Sequence, residues 1–307
     1  MPLDAISLRA VVEELRPQLL NLRIDKVQQP ARDQVVLLLR GNKRLLLNAG
    51  ANAPRLQLTN LLRDNPAEPP MFCMLLRKHL VGARVADITQ PGLERLVRME
   101  LDVTDDFGQP GRRTLVLEAM GRRSNLILLD GEGRVIDCMR RVDAEMSAAR
   151  QVLPGLFYEQ PASTGRLPFL EETEEGFREK LSQVNPEVQL DRFLLDAYFG
   201  IAPLMARELA FRAAGETDRR LCQMGPEERE RLWQELEQLI ARTGIPPFLL
   251  GLSWSSTERM STQQADLLTS EITAIRRSVE PALERIGADN ALGRFIANSI
   301  SRAGGSD

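Results

Sequence analysis

The chain has 307 residues, enough for about two domains at roughly 100–200 residues each, and its 43% hydrophobic and 27% charged residues suit a globular protein able to bury a core. Cys73, Cys138 and Cys222 lie far apart with no Cys-x-x-Cys pair, and His79 is the single histidine, so the expectation is reduced thiols, no metal site and no cofactor. Met1-Pro2-Leu3-Asp4 offers no basic segment followed by an apolar one, and no run approaches the roughly 18 apolar residues of a membrane span, so a cytoplasmic location without membrane attachment is expected.

The formal net charge of −3 hides an asymmetry. Residues 1–150 carry 23 Lys+Arg against 19 Asp+Glu, whereas residues 151–307 carry 17 against 24. Only Lys26, Lys43, Lys78 and Lys180 are lysines; the other basic residues are arginines, which suit bidentate phosphate contacts, although genome composition alone also raises arginine content.

In chain order, residues 5–22 place Ile6, Val11, Val12, Leu15, Leu19 and Leu22 at near-helical spacing, with Asp4 or Ser7 as cap. From Arg23 the period changes. Residues 24–29, 35–40 and 44–48 read as three short strands of an antiparallel meander, with turns at Arg32-Asp33 and Gly41-Asn42. The proline-rich break 64–70 precedes a helix over 71–80, whose Met71, Phe72, Met74, Leu75 and Leu76 are expected in the core. Strands follow at 83–89, 94–104, 113–119, 124–129 and 134–138. Residues 1–160 therefore read as one α+β domain, an antiparallel β-sandwich or barrel with two helices. Residues 161–170 read as a linker. Helices are predicted at 174–184, 190–198, 203–214, 226–243 and 263–286, giving an all-α domain over 171–250, then a helical segment and disordered tail over 251–307.

Several local groups carry chemistry. Arg122 and Arg123 stand at a strand entry after Gly121, beside Ser124 and Asn125, a set of donors suited to phosphate or sugar; a solvated hairpin is the other reading. Glu94-Arg95 follows a Pro-Gly turn, where the acid orients the guanidinium toward a phosphate or base edge, or the two form a plain surface ion pair. Arg77, Lys78 and His79 end a helix, as ligand contacts or as complement to its dipole. Gly200-Ile201-Ala202-Pro203 resembles the turn of a helix-hairpin-helix, which offers backbone N–H groups to a phosphate, or else a hairpin that only packs; Ala202 stands where the usual pattern has a second glycine.

Four strings resemble one family in its order: Pro69-Pro70-Met71-Phe72-Cys73-Met74-Leu75-Leu76-Arg77-Lys78-His79-Leu80, Gln90-Pro91-Gly92-Leu93-Glu94-Arg95, Glu118-Ala119-Met120-Gly121-Arg122-Arg123-Ser124-Asn125, and Arg150-Gln151-Val152-Leu153-Pro154-Gly155-Leu156-Phe157-Tyr158. They are similar to the NFACT N-terminal region of the fibronectin-binding-protein-A-like, RqcH-type ribosome quality-control family, over roughly residues 1–215. The resemblance implies a glycosylase-like α+β fold followed by a helix-hairpin-helix domain. It also implies binding of tRNA (alanyl-tRNA in bacteria) and of the stalled large ribosomal subunit, promoting C-terminal tailing with no catalysis by the protein itself. The family has an Asp-Arg pair where Glu94-Arg95 stands here. Two alternatives remain. A DNA glycosylase would use Pro2 as nucleophile, against which Leu3 replaces the expected acid; an adhesin would bind an extracellular-matrix protein such as fibronectin.

Overall fold

In the computed structural model, residues 4–242 are described, apart from 62, 105–107, 148 and 162–164. The predicted helix 263–286, the tail within 251–307 and Pro2 lie outside the described residues.

Helix α1 (Ala5–Leu19) is capped by Asp4, whose carboxylate accepts from Ser7 N at 2.7 Å. It ends three residues earlier than its apolar period predicts. Asn21 adopts a left-handed conformation (φ 63°), and its N–H donates to Val85 O at 2.8 Å, so the chain leaves the helix to join a sheet. Strands β1 (Ile24–Ala31), β2 (Gln34–Leu39), β3 (Lys43–Asn48) and β4 (Arg55–Leu58) form an antiparallel sheet in that order. The fourth strand was not expected, since four residues with Arg55 and Gln57 carry little apolar signal; it forms because β3 offers an edge to pair with.

Helix α2 (Met71–Leu80) follows the proline-rich break, packs on β1 and buries Phe72, Cys73, Leu76 and Leu80. The expectation that every apolar residue here is core fails for Met71 and Met74, which are 86% and 49% exposed because the helical turn puts them off the buried face. Strands β5 (Arg84–Thr89), β6 (Leu96–Thr104), β7 (Pro110–Glu118), β8 (Asn125–Leu129) and β9 (Val135–Cys138) form a second antiparallel meander.

One core, including Leu8, Leu19, Leu37, Leu45, Leu76, Met99, Leu117 and Leu128, joins both sheets and both helices. Each such buried side chain contributes about 1.5–3 kcal/mol of transfer free energy. The sheets are stitched at one edge by Ile24 N→Ala83 O (2.8 Å) and Val85 N→Leu22 O (3.0 Å). A second cluster on the other face of β7 and β8 holds Val116, Ile127, Leu129 and Val152. Strand β8, NLILL, is therefore buried at every position and shows no alternation.

The end of the stretch read as a linker is ordered: β10 (Leu167–Pro168) pairs in parallel with β11 (Tyr198–Phe199). Around that pair lie α3 (Glu174–Gln183), α4 (Leu190–Ala197), α5 (Pro203–Ala214) and α6 (Pro226–Arg242). Phe177, Phe193, Tyr198 and Trp233 meet ring to ring among them.

Candidate nucleic-acid interface

The residues with chemical promise separate along one β-ladder. Strands β6 and β7 pair from Leu96↔Glu118 at one end to Thr104↔Pro110 at the other. Glu94, Arg95, Arg122 and Arg123 belong to the first end; Lys78 and His79 share a hollow with Val103 and Thr104 at the second. Eight residue steps at about 3.3–3.4 Å put the two ends roughly 27 Å apart.

At the first end backbone hydrogen bonds hold the chain while the arginine side chains stay exposed. Arg95 O accepts from Ala119 N at 2.8 Å, continuing the ladder past the strand ends. Gly121 then turns the chain with φ 59°, and Gly121–Arg123 form a short 3-10 turn where a plain strand entry was expected. This turn is locked from beneath. Ser124 Oγ accepts from Met120 N at 2.9 Å, and Asn125 exchanges bonds with Arg140, donating to its carbonyl at 2.7 Å and accepting from its N–H at 2.9 Å. Arg140 also donates to Arg122 O at 3.0 Å. Ser124 and Asn125 are buried, which corrects their expected place among the contacting donors: their polar atoms are spent holding the turn.

Arg95, Arg122 and Arg123 remain exposed, with no ion pair or side-chain hydrogen bond among the described residues. Glu94 is half-buried, and burial raises its carboxyl above the ordinary carboxylate range while Arg95 pulls it back down. The two make no ion pair within 4.0 Å, so Glu94 acts on Arg95 through its field rather than by gripping it.

Sequence reasoning missed what stands behind this turn. Glu118, 1% exposed, ends β7 and accepts from both terminal nitrogens of Arg150 (Nη1 at 3.2 Å) and from Tyr158 Oη at 2.8 Å. Burial beside Glu118 pushes the Tyr158 hydroxyl far above its usual range, so it stays a donor. Residues from two separate strings thus meet in one buried network. The signal was a glutamate directly after the apolar run Leu115-Val116-Leu117, where a buried charge needs a partner.

The second end is weaker. Arg77 donates Nε to Val27 O at 3.0 Å and lies against Met74, so it ties α2 to β1. Lys78 is exposed and without a partner among the described residues. His79 is half-buried; burial, then Arg113 and Lys78, lower its pKa, so the imidazole adds no positive charge at neutral pH. The hollow, about 330 Å³, also draws in Arg23, unforeseen in the sequence and 3.9 Å from Asp25.

Gly200 and Ala202 stand close to the first end. Gly200 has φ 94°, and a Cβ there would sit 2.5 Å from Leu93 Cδ1, the residue before Glu94. Only glycine permits both. Ala202 is the N-cap of α5 with no side-chain bond and Pro203 at its first turn, so the first amides of that helix are left open beside the Glu94-Arg95 turn. No cluster of His, Cys, Asp and Glu able to hold a metal occurs among the described residues, and no helix among them is long and apolar enough to cross a membrane.

Fold and site together define a two-sheet α+β unit that presents exposed guanidinium groups at one end, continued by a group of short helices. The sequence matches the family described as NFACT N-terminal and middle domains over residues 4–277, and the chain belongs to that family. It is 36% identical over 217 residues to the "Rqc2 homolog RqcH" of Bacillus subtilis, covering 69% of this chain and 38% of that protein. It is 29% identical over 142 residues to the human "Ribosome quality control complex subunit NEMF", covering 45% of this chain and 12% of that one. The solved N-terminal domain of the fibronectin-binding protein PavA from Streptococcus pneumoniae superposes with a TM-score of 0.62 at 33% identity, covering 67% of this chain and 78% of that chain. The chain thus spans well under half the length of these two relatives, RqcH and NEMF.

Proposed function

We propose that this chain is the N-terminal portion of a ribosome-associated quality-control factor, and that it holds tRNA by its phosphate backbone on the obstructed large ribosomal subunit. In this reading Arg95, Arg122 and Arg123 contact phosphates, Glu94 tunes Arg95, and the open amides of α5 after Gly200 and Ala202 take a further phosphate in the manner of a helix-hairpin-helix. Lys78 and His79 make a lesser contact at the far end of the ladder, with Arg77 as their anchor. The factor recruits tRNA, alanyl-tRNA in the bacterial family, and promotes C-terminal tailing. The protein makes and breaks no bond, peptidyl transfer being the ribosome's chemistry, and its place of action is the cytoplasm.

The carrying observation is the trio of exposed guanidinium groups with no ion pair or side-chain hydrogen bond among the described residues, on a turn held by Ser124 and Arg140. An internally paired arginine would have to give up a salt bridge on binding, whereas these have none to give up among the described residues, and the cost is only the ordering of their side chains. The test is filter binding of tRNA to the wild type and to Arg122→Ala/Arg123→Ala, with melting temperature measured alongside. The reading expects affinity to fall with folding intact; unchanged affinity counts against it.

Fibronectin binding is a second reading, favoured by the name of the streptococcal relative. The same double variant separates them: tRNA affinity falls and fibronectin affinity does not if the two properties use different surfaces.

A further inference from the structure

A small hollow lies between the proline-rich segment before α2 and the strand that helix covers. Its lining is Gln29, Asn65, Pro66, Ala67, Pro69, Cys73 and Arg77, and it encloses about 150 Å³. Gln29 is only 4% exposed. Its Nε2 donates to Arg32 O at 3.1 Å, but its Oε1 meets no donor among the described residues. A buried acceptor left open is uncommon and points to a partner from outside the chain.

The lining restricts what that partner is. Gln29 Oε1 asks for a donor. Arg77, with Nε and one terminal nitrogen already placed on Val27 O and Met74, has N–H groups left that ask for an acceptor. Asn65, exposed at the mouth, offers both. Pro66, Ala67 and Pro69 supply apolar walls. A free phosphate fits poorly, because it would set negative charge against Gln29 Oε1. The volume matches the roughly 150 Å³ that accommodates one six-membered ring. An uncharged planar ring with donor and acceptor on one edge has the chemistry of a pyrimidine base, and single-stranded RNA is where such edges are open to proteins.

We infer that the Gln29–Asn65–Arg77 hollow receives one pyrimidine base turned out of an RNA single strand. This rests on the RNA-binding reading above but concerns a different surface and a different chemical group, a base edge in place of phosphate. Gln29 accepts from the base, Arg77 donates to it, and Asn65 closes over its edge. The ring lies against the prolines.

The test uses nucleosides, which carry no phosphate and so bypass the arginine turn. The whole chain is titrated with cytidine, uridine and adenosine while the side-chain amide resonances of Gln29 and Asn65 are followed by NMR. A pyrimidine should shift both amides saturably, with adenosine about tenfold weaker. Asn65→Ala, an exposed position that leaves the fold intact, should weaken the pyrimidine about tenfold, and Gln29→Leu should abolish the preference over adenosine. No response to any nucleoside means the hollow holds only water and overturns the inference, as does equal affinity for purine and pyrimidine or an Asn65→Ala variant that binds like wild type. If tRNA binding still depends on Arg122 and Arg123 in that case, only this inference falls. If cytidine or uridine fills the hollow while tRNA binding ignores the arginines, the base site stands and the phosphate reading falls.

Discussion

The arginines of the two regions live differently. In the helical region they are largely matched: Arg178 with Glu230 (3.2 Å), Arg192 with Asp196 (2.8 Å), Arg212 with Glu208 (2.7 Å), Arg219 with Glu228 (3.2 Å) and Arg220 with Glu187 (2.8 Å). At the Glu94–Arg123 end of the β6–β7 ladder, Arg95, Arg122 and Arg123 are exposed without an ion pair among the described residues, on a turn held by Ser124, Asn125 and Arg140. The exposed pairs of the helical region, Arg178–Glu230, Arg192–Asp196 and Arg220–Glu187, are worth little to stability, about 0–1 kcal/mol each. The effect of the helical pairs is to cancel the positive charge of those arginines, so the side chains of that region offer a polyanion little. The ladder end keeps its positive charge uncancelled on a rigid turn. The lesson is that partnerlessness, more than arginine content, marks where a phosphate would go.

The sharpest way to break this comparison is to remove charge from each region in turn. Arg122→Ala/Arg123→Ala should weaken tRNA binding by about 30-fold or more, the loss of two charge-assisted contacts, while Arg178→Ala/Arg192→Ala should change it less than twofold. Equal losses in a gel-shift assay would mean that net charge alone matters.

Next in size is the buried support. Arg150→Met strands Glu118 in the interior with only Tyr158 as a donor, and should cost about 3–5 kcal/mol of stability in a urea titration. A change under about 1 kcal/mol would show that the network does not hold the turn. Gly200→Ala sharpens the contact between the two regions: a strained φ plus a clash with Leu93 should cost about 1–3 kcal/mol. Its tRNA affinity should fall as well if the open amides of α5 take part.

The smallest effect concerns the far end of the ladder. His79 is the chain's only histidine, so its NMR titration is unambiguous. Burial, Arg113 and Lys78 hold its pKa below the ordinary 6.5, so the folded state binds fewer protons there than the unfolded state. The stability this contributes is fully present above pH 6.5 and is lost as pH falls from there through the folded pKa. His79→Asn should flatten that slope relative to wild type. If tRNA phosphates reach the Lys78–His79 hollow, the titration should move upward in the complex; an unmoved titration would remove this end from the interface.

Much of the fold was legible in the residues. The change of period at Arg23 marked the start of a meander, and the Gly41-Asn42 and Pro91-Gly92 breaks fell between strands because turns need those conformations. Strand β4 was not, since pairing to an edge is a tertiary event that four residues do not announce. Met71 and Met74 looked like core by type but lie off the helix's buried face. For the site, residue type pointed to Arg95, Arg122 and Arg123 but also to Ser124 and Asn125, which the structure turns inward. Whether a donor is free or spent depends on its three-dimensional neighbours: Arg140, fifteen positions beyond Asn125, decides it here. The Glu118–Arg150–Tyr158 network was hidden for the same reason.

The salt dependence of tRNA affinity tests the central claim most directly. Each phosphate neutralised contributes about 0.7–0.9 to the slope of log affinity against log salt. The wild type should show a steep negative slope, and Arg122→Ala/Arg123→Ala should reduce it by about two contacts' worth, roughly 1.4–1.8. A wild-type slope near zero, or a double variant with the same slope as wild type, would contradict the claim that these guanidinium groups meet phosphate.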